Sequence, residues 1–224
     1  MKLLSIDSSG KSAACAVTDG EKVLAESFTN SGLTHSQTLL PMVDKMLSEA
    51  GIKISEIDAF AVTNGPGSFT GLRIGMALIM GLSGDKKCIA VPTLKALAYN
   101  MSSTDGIVVP VMDARRNQVY TSIFESKSGT LTQLEEDSAI SVDEVIERLE
   151  KYKGQKIWVL GDGAYLFEGK SDMISFPSED KLFIKGSSIA RAAKEYEPID
   201  AKDLKVNYLR LSQAERELQE RMKK

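Results

Sequence analysis

From Met1 to Phe28 the apolar residues come in short runs broken by turn-forming residues. Leu3-Leu4-Ser5-Ile6 leads into Asp7-Ser8-Ser9-Gly10-Lys11, whose side chains hydrogen-bond their own backbone. Ala13 to Val17 returns, Thr18-Asp19-Gly20-Glu21 turns again and Val23 to Phe28 runs out, so three hairpin-linked strands are expected. From His35 to Ala50 the period becomes helical, with Leu39, Met42, Val43, Met46, Leu47 and Ala50 recurring at three and four residues. Gly51 supplies the stop. Ile57 to Val62 reads as a strand ending in Asn64-Gly65-Pro66-Gly67, followed by a helix from Thr70 to Leu82, a strand from Cys88 to Val91 and a helix from Thr93 to Met101.

A second half opens near Asp105 and repeats the first. Ile107 to Met112 reads as a strand, Asp113-Ala114-Arg115-Arg116-Asn117 as a turn and Val119 to Phe124 as a returning strand. Each half also carries a strand ending in Gly-x-Gly before a helix, at Gly65-Pro66-Gly67 and at Gly161-Asp162-Gly163. The repeat predicts a duplicated α/β architecture of two similar lobes, each a mixed sheet flanked by helices. The lobes divide as 1–102 and 103–224, the latter including a charged tail from Ser212 to Lys224.

Two helices carry more apolar surface than a one-sided surface helix needs. Around Thr70–Leu82, at about 100° per residue, Leu72, Ile74, Met76, Leu78, Ile79, Met80 and Leu82 surround the axis. The helix from His35 has an apolar arc of about 160°, wider than the usual ~100° stripe, with Leu40 and Leu47 at one edge and Met42 at the other. Such helices lie at the centre of a fold or against a partner, and methionine suits both places.

Composition narrows the chemistry. The chain has 224 residues, 42% hydrophobic and 26% charged, ordinary values for a globular protein that needs no disulfide to fold. Its net charge of −3 lacks the basic excess of an autonomous nucleic-acid binder. The longest apolar run, Ile74 to Leu82, falls far short of the ~20 residues of a membrane span. Asp7 interrupts any signal-like stretch, so a cytoplasmic protein is expected, with Cys15 and Cys88 as small buried residues. His35 is the only histidine, so no zinc-type set of histidine and cysteine can be assembled. No Gly-x-Ser-x-Gly elbow is present to supply a hydrolase serine.

The candidate ligand-binding residues lie in the turns. Asp7, Ser8 and Ser9 read either as a small phosphate-holding turn or as an ordinary hairpin, and Asp113 as a magnesium-nucleotide ligand or a cap. Gly65 and Gly67, in Asn64-Gly65-Pro66-Gly67-Ser68-Phe69-Thr70-Gly71-Leu72-Arg73, read as an anion site at a helix N-terminus or as a tight turn for close packing. Neither a Walker loop nor the dinucleotide fingerprint is present. Arg115 and Arg116 read as a solvated loop.

Taken together, Met1 to Val17, His35 to Met42, Gly65 to Gly75 and Asp113 to Tyr120 resemble the bacterial TsaB (YeaZ) family, and the resemblance covers essentially the whole chain. It implies an actin/hexokinase/Hsp70-like (ASKHA) fold and a place in the machinery that puts a threonylcarbamoyl group on the adenosine next to the anticodon, in tRNAs reading A-starting codons. In that family the catalytic subunit is a larger paralogue, TsaD, with a metal-binding His-x-x-x-His. Here the matching stretch runs His35-Ser36-Gln37-Thr38-Leu39, with leucine at the second histidine. The resemblance therefore implies a non-catalytic partner subunit with no metal site and no catalytic residue of its own. Asp7, Ser8, Ser9, Gly65, Gly67, Asp113, Gly161 and Gly163 stand as degenerate nucleotide motifs, with ATP or ADP a candidate only within the complex. The implied partners are a TsaD-like paralogue, a TsaE-like ATPase, a second copy when alone, and tRNA through the complex. The implied interface uses Leu39, Leu40, Met42, Val43, Met46 and Leu47 on the first helix and Leu72, Arg73, Met76, Ile79 and Met80 on the second. The competing reading is an ATP-dependent small-molecule kinase of the same fold.

Overall fold

The computed structural model describes residues 1–210; the tail from Ser212 to Lys224 lies outside the described residues. The first lobe contains β1 (Lys2–Asp7), β2 (Ala13–Asp19), β3 (Lys22–Thr29), α1 (His35–Glu49), β4 (Ala59–Thr63), α2 (Phe69–Ser83), β5 (Lys87–Val91) and α3 (Thr93–Ala98). The second contains β6 (Gly106–Asp113), β7 (Gln118–Lys127), β8 (Thr130–Ser141), α4 (Val142–Leu149), β9 (Ile157–Leu160) and β10 (Ile174–Ser175). Two helices follow, α5 (Glu179–Leu182) and α6 (Gly186–Ala193).

Among the described residues the strands form two five-stranded sheets, ordered β3-β2-β1-β4-β5 and β10-β9-β6-β7-β8. In the first sheet β1 and β2, and β2 and β3, are antiparallel, while β1 and β4, and β4 and β5, are parallel. The second repeats this strand for strand, with β6 in the place of β1 and β9 in the place of β4. The tight turns after β1 and β6 make the antiparallel pairs, and the parallel pairs need crossovers such as α2. This is the two-lobed arrangement that the sequence repeat predicts and the actin/hexokinase/Hsp70-like fold that the resemblance implies.

The apolar residues divide among three cores. Leu4, Ile6, Phe60, Val62, Leu39 and Ile79 join the outer face of the first sheet to α1 and α2. Val109, Val111, Val145 and Leu149 join the second sheet to α4. Between the sheets, Leu97 of α3 and Ile189 of α6 meet Ala61, Val108 and Leu160.

Two sequence expectations change here. The stretch after the second Gly-x-Gly is a short 3₁₀ turn, Ala164–Phe167, rather than a helix comparable to α2. Also, residues expected in the second lobe return to the first. Gly186 at the start of α6 lies so close to β2 that a Cβ there would stand 2.4 Å from the Ala16 nitrogen, and the Ser5 hydroxyl donates to the Gly186 carbonyl at 2.6 Å. Further on, Ile199 and Cys88 exchange two backbone bonds of 2.8 Å, and Leu204 is buried in the first-lobe core. The small residues of α6 let it sit directly on the sheet, which draws the following strap, residues 199–210, around the first lobe.

Candidate functional site: an inter-lobe cleft and an outer helix face

The first-lobe turn follows β1. Asp7 is buried, and its Oδ1 accepts from the Ser9 backbone at 3.1 Å, the Ser9 hydroxyl at 2.6 Å and the Thr63 hydroxyl at 2.6 Å. Burial outweighs these bonds and holds its carboxyl above the ordinary range. Ser8 donates to the Gly71 carbonyl at 2.9 Å, and the Ser68 amide donates to the Ser9 carbonyl at 2.7 Å. A Cβ at Gly71 would stand 2.0 Å from the Ser8 carbonyl oxygen, one at Gly75 2.5 Å from the Ser8 hydroxyl, and one at Gly67 2.5 Å from the Ser9 carbonyl oxygen. The close packing that the glycine-rich segment was expected to allow is present: α2 is pressed onto the turn through Gly67, Gly71 and Gly75. The Ser68 side chain caps α2 by accepting from Gly71 at 3.2 Å. His35 Nε2 is bonded to the Gly10 carbonyl at 2.8 Å, tying α1 to the same turn, and Leu39 is buried in the core.

The second-lobe turn follows β6. Asp113 Oδ1 accepts from the Arg115 amide at 2.7 Å and Oδ2 from the Tyr165 hydroxyl at 3.1 Å. Gly161 and Gly163 again permit close approach: a Cβ would lie 2.0 Å from the Val111 carbonyl oxygen at the first and 3.0 Å from the Asp113 nitrogen at the second. Between them Asp162 accepts from the Asp113 amide at 3.1 Å, and burial raises its carboxyl above the ordinary range.

Three of the eight candidate nucleotide residues face one cleft between the two turns. Asp7, Ser9 and Gly161 line it together with Gly10, Met112 and Asp162, and the space between them is about 10 Å³, room for roughly one water. Ser8, Gly67 and Gly163 face into packing instead. Gly65 lies under the strap, where a Cβ would meet the Asn207 carbonyl oxygen at 2.1 Å. Asp113 sits outside the cavity, on the second-lobe turn. Among the described residues no group of three His, Cys, Asp or Glu side chains is placed to hold a metal ion.

The outer helix face is narrower than the sequence implies. Leu39, Val43, Met46, Leu47, Leu72, Met76 and Ile79 are buried in the lobe's own core, because α1 and α2 turn these positions onto the sheet. They are unavailable to a partner as side chains. Leu40 is 51% and Met80 41% exposed, Arg73 is exposed, and Met42 is half-buried. Along α2 the outward positions Ala77, Met80 and Gly81 carry no charge. Leu33, 61% exposed just before α1, was legible only as an apolar residue in a polar loop.

The strap carries contacts that no periodicity announced. The Asn207 amide donates to the Asn64 carbonyl at 2.7 Å, and Tyr208 stacks on Phe69 at 4.0 Å between ring centres. Arg73 Nε donates to the Tyr208 hydroxyl at 2.8 Å, while Arg210 reaches the second lobe and donates to Gln118 at 2.6 Å.

The family described as TsaD, tRNA N6-adenosine threonylcarbamoyltransferase, matches residues 22–208. The tRNA threonylcarbamoyladenosine biosynthesis protein TsaB of Bacillus subtilis (strain 168) is 34% identical over 229 residues, covering 96% of each chain. The chain belongs to the TsaB (YeaZ) family. The TsaB of Escherichia coli (strain K12) is 29% identical over 212 residues, 85% of this chain and 90% of its own. YeaZ from Pseudomonas aeruginosa has the same fold, with a TM-score of 0.77 at 24% identity over 93% of this chain and 99% of that one. No described helix of this TsaB-family chain is long and apolar enough to cross a membrane.

Proposed function

We propose that this TsaB-family chain is the non-catalytic partner subunit for threonylcarbamoyl modification of the adenosine next to the anticodon in tRNAs reading A-starting codons. It pairs with and activates a TsaD-like catalytic paralogue, with a TsaE-like ATPase as third component. The observation that carries the reading is the cleft: the two turns and Gly-x-Gly loops that would cradle a nucleotide are packed on each other, leaving about 10 Å³. Work is thereby left to the surface, and the apolar positions left in solvent on α1 and α2, Leu40 and Met80, supply the pairing face. Without the paralogue a second copy occupies the same face, and ATP or ADP belongs to the complex rather than to the lone subunit. Such a role belongs in the cytoplasm, where tRNA is modified.

Gel filtration with light scattering tests this, on the protein alone and mixed with its TsaD-like paralogue. A mixed peak at the heterodimer mass, with transferase activity only in the mixture, is the expected result. Failure to associate, with magnesium-dependent ATP turnover by the lone protein that is lost in Asp113→Asn, would overturn it in favour of a kinase.

A further inference from the structure

We propose that the second-lobe turn and the end of the strap form an RNA-binding surface on this chain itself, shaped for the phosphates and unpaired bases of a stem–loop. The inference rests on the reading above, in which the substrate is a tRNA, and adds a direct contact where the sequence implied only one through the complex.

The surface is continuous through recorded contacts. At one end the Lys11 ammonium lies 5.5 Å from the centre of the Tyr165 ring, whose hydroxyl is bonded to Asp113. Asp113 anchors the turn that carries Arg115 and Arg116, both exposed. At the other side of this turn Arg210 donates to the Ala114 carbonyl and to Gln118. Two residues back along the strap, Tyr208 is joined to Arg73 and Phe69. Five cations, Lys11, Arg73, Arg115, Arg116 and Arg210, are thereby tied to the turn and the strap, in a chain whose net charge is −3. Among the described residues, the carboxylates bonded to this turn, Asp113 and Asp162, are engaged by backbone amides.

Two features favour RNA over an acidic protein surface. Tyr165 is 51% and Tyr208 37% exposed, each beside a cation, and flat rings interleaved with cations are what unpaired bases stack on. The turn also holds its arginines in an unfavourable backbone state. Arg115, Arg116 and Asn117 have φ of 67°, 55° and 57°, a region that favours Gly, Asn and Asp. Two consecutive arginines there cost conformational energy, and among the described residues the turn is held by Asp113 and by backbone bonds from Gln118 to Arg115 and from Val142 to Asn117.

The test uses the full chain, alone and paired with the paralogue, titrated against a labelled RNA stem–loop with an unpaired loop at several salt concentrations. Arg115→Asn/Arg116→Asn suits the left-handed turn better than the native pair, so a lost affinity is not a lost turn. This double variant is expected to bind about tenfold more weakly and to lower the slope of log affinity against log salt by about 2. Tyr165→Leu is expected to weaken binding of the loop RNA more than of a fully paired duplex, and an equal loss on both would overturn the stacking role. Unchanged RNA affinity in the double variant overturns the proposal. Loss of pairing with unchanged RNA affinity reassigns the surface to a protein partner. In both cases the subunit reading survives, because it fails only if the unaltered chain does not pair.

Discussion

The turns after β1 and β6 occupy equivalent places in the two sheets and begin with the same residue type, yet the fold uses them oppositely. In the first lobe Asp7, Ser8 and Ser9 are buried, and α2 is clamped over them through Gly67, Gly71 and Gly75. In the second lobe no long helix follows the Gly-x-Gly loop. Asp113 reaches Tyr165 instead, and the next residues stand in solvent. One copy has become a packing element, which closes the cleft, while the other stands open to solvent. Duplication of a pattern therefore does not imply duplication of a role; what covers each copy decides it.

The contrast between inward and outward positions is sharpest along α2. Met76→Glu places a carboxylate among Leu4, Ile6 and Phe60 of the same core and is expected to cost about 4 kcal/mol or more, enough to unfold the lobe. Met80→Glu, one turn on and facing solvent, is expected to change stability by less than about 0.5 kcal/mol while abolishing pairing. Circular dichroism melts beside light scattering separate the two, and equal melting temperatures would erase the distinction.

Glycine substitutions compare the turns directly. Gly71→Ala forces a Cβ to 2.0 Å from a backbone oxygen and is expected to cost about 3 kcal/mol. Gly163→Ala needs only a few tenths of an ångström of relief at 3.0 Å from the Asp113 nitrogen, and about 1 kcal/mol is expected. Chemical denaturation measures both; a cost at Gly163 matching that at Gly71 would mean that both turns are equally packed. The aspartates follow. Asp7→Ala strands the Ser9 amide and the Ser9 and Thr63 hydroxyls without their acceptor, at about 2–3 kcal/mol. Asp113→Ala releases groups that reach water, and its cost in the same titration is expected to stay below about 1 kcal/mol.

The sequence made the strands of the first lobe, α1, α2 and the two-lobed repeat readable because each carries a local period or a turn signal. β8 was not read, since Glu135, Glu136 and Asp137 break its alternation. Neither was the return of α6 and the strap to the first lobe: Gly186-Ser187-Ser188 carries little hydrophobic signal, and its burial depends on a sheet laid down about 180 residues earlier. Of the candidate site, the turns were legible, and the structure brings Asp7, Ser9 and Gly161 of them to one cleft. Seven of the eleven residues of the implied interface are buried in the lobe's own core, because periodicity marks which side of a helix is apolar and not which apolar residues the sheet already covers. The proposed RNA surface escaped for a related reason: Arg73 reaches Tyr208, and Arg210 reaches Ala114 and Gln118, only through tertiary contacts.

The last effect expected is one of pH, and it asks whether the loss of stability on raising pH belongs to the closed cleft. Asp137, on β8 and away from both turns, has its carboxyl pushed up to about 6 by burial, against hydrogen bonds from Ser122 and Gln133. A folded-state value above the ordinary 3.8 means that the folded chain binds the proton more tightly. Its contribution to stability is then fully present below 3.8 and lost as pH rises through about 6. Asp7 and Asp162 are raised by the same cause, so they add in the same direction. Asp137→Asn is expected to gain about 1 kcal/mol at neutral pH, discounted for its partial exposure, and to flatten the decline between the ordinary value and about 6. If denaturation midpoints across that window keep their full slope in Asp137→Asn and lose it in Asp162→Asn, the sensitivity sits in the cleft. In that case acid tightens the contact between the two lobes and neutral pH loosens it.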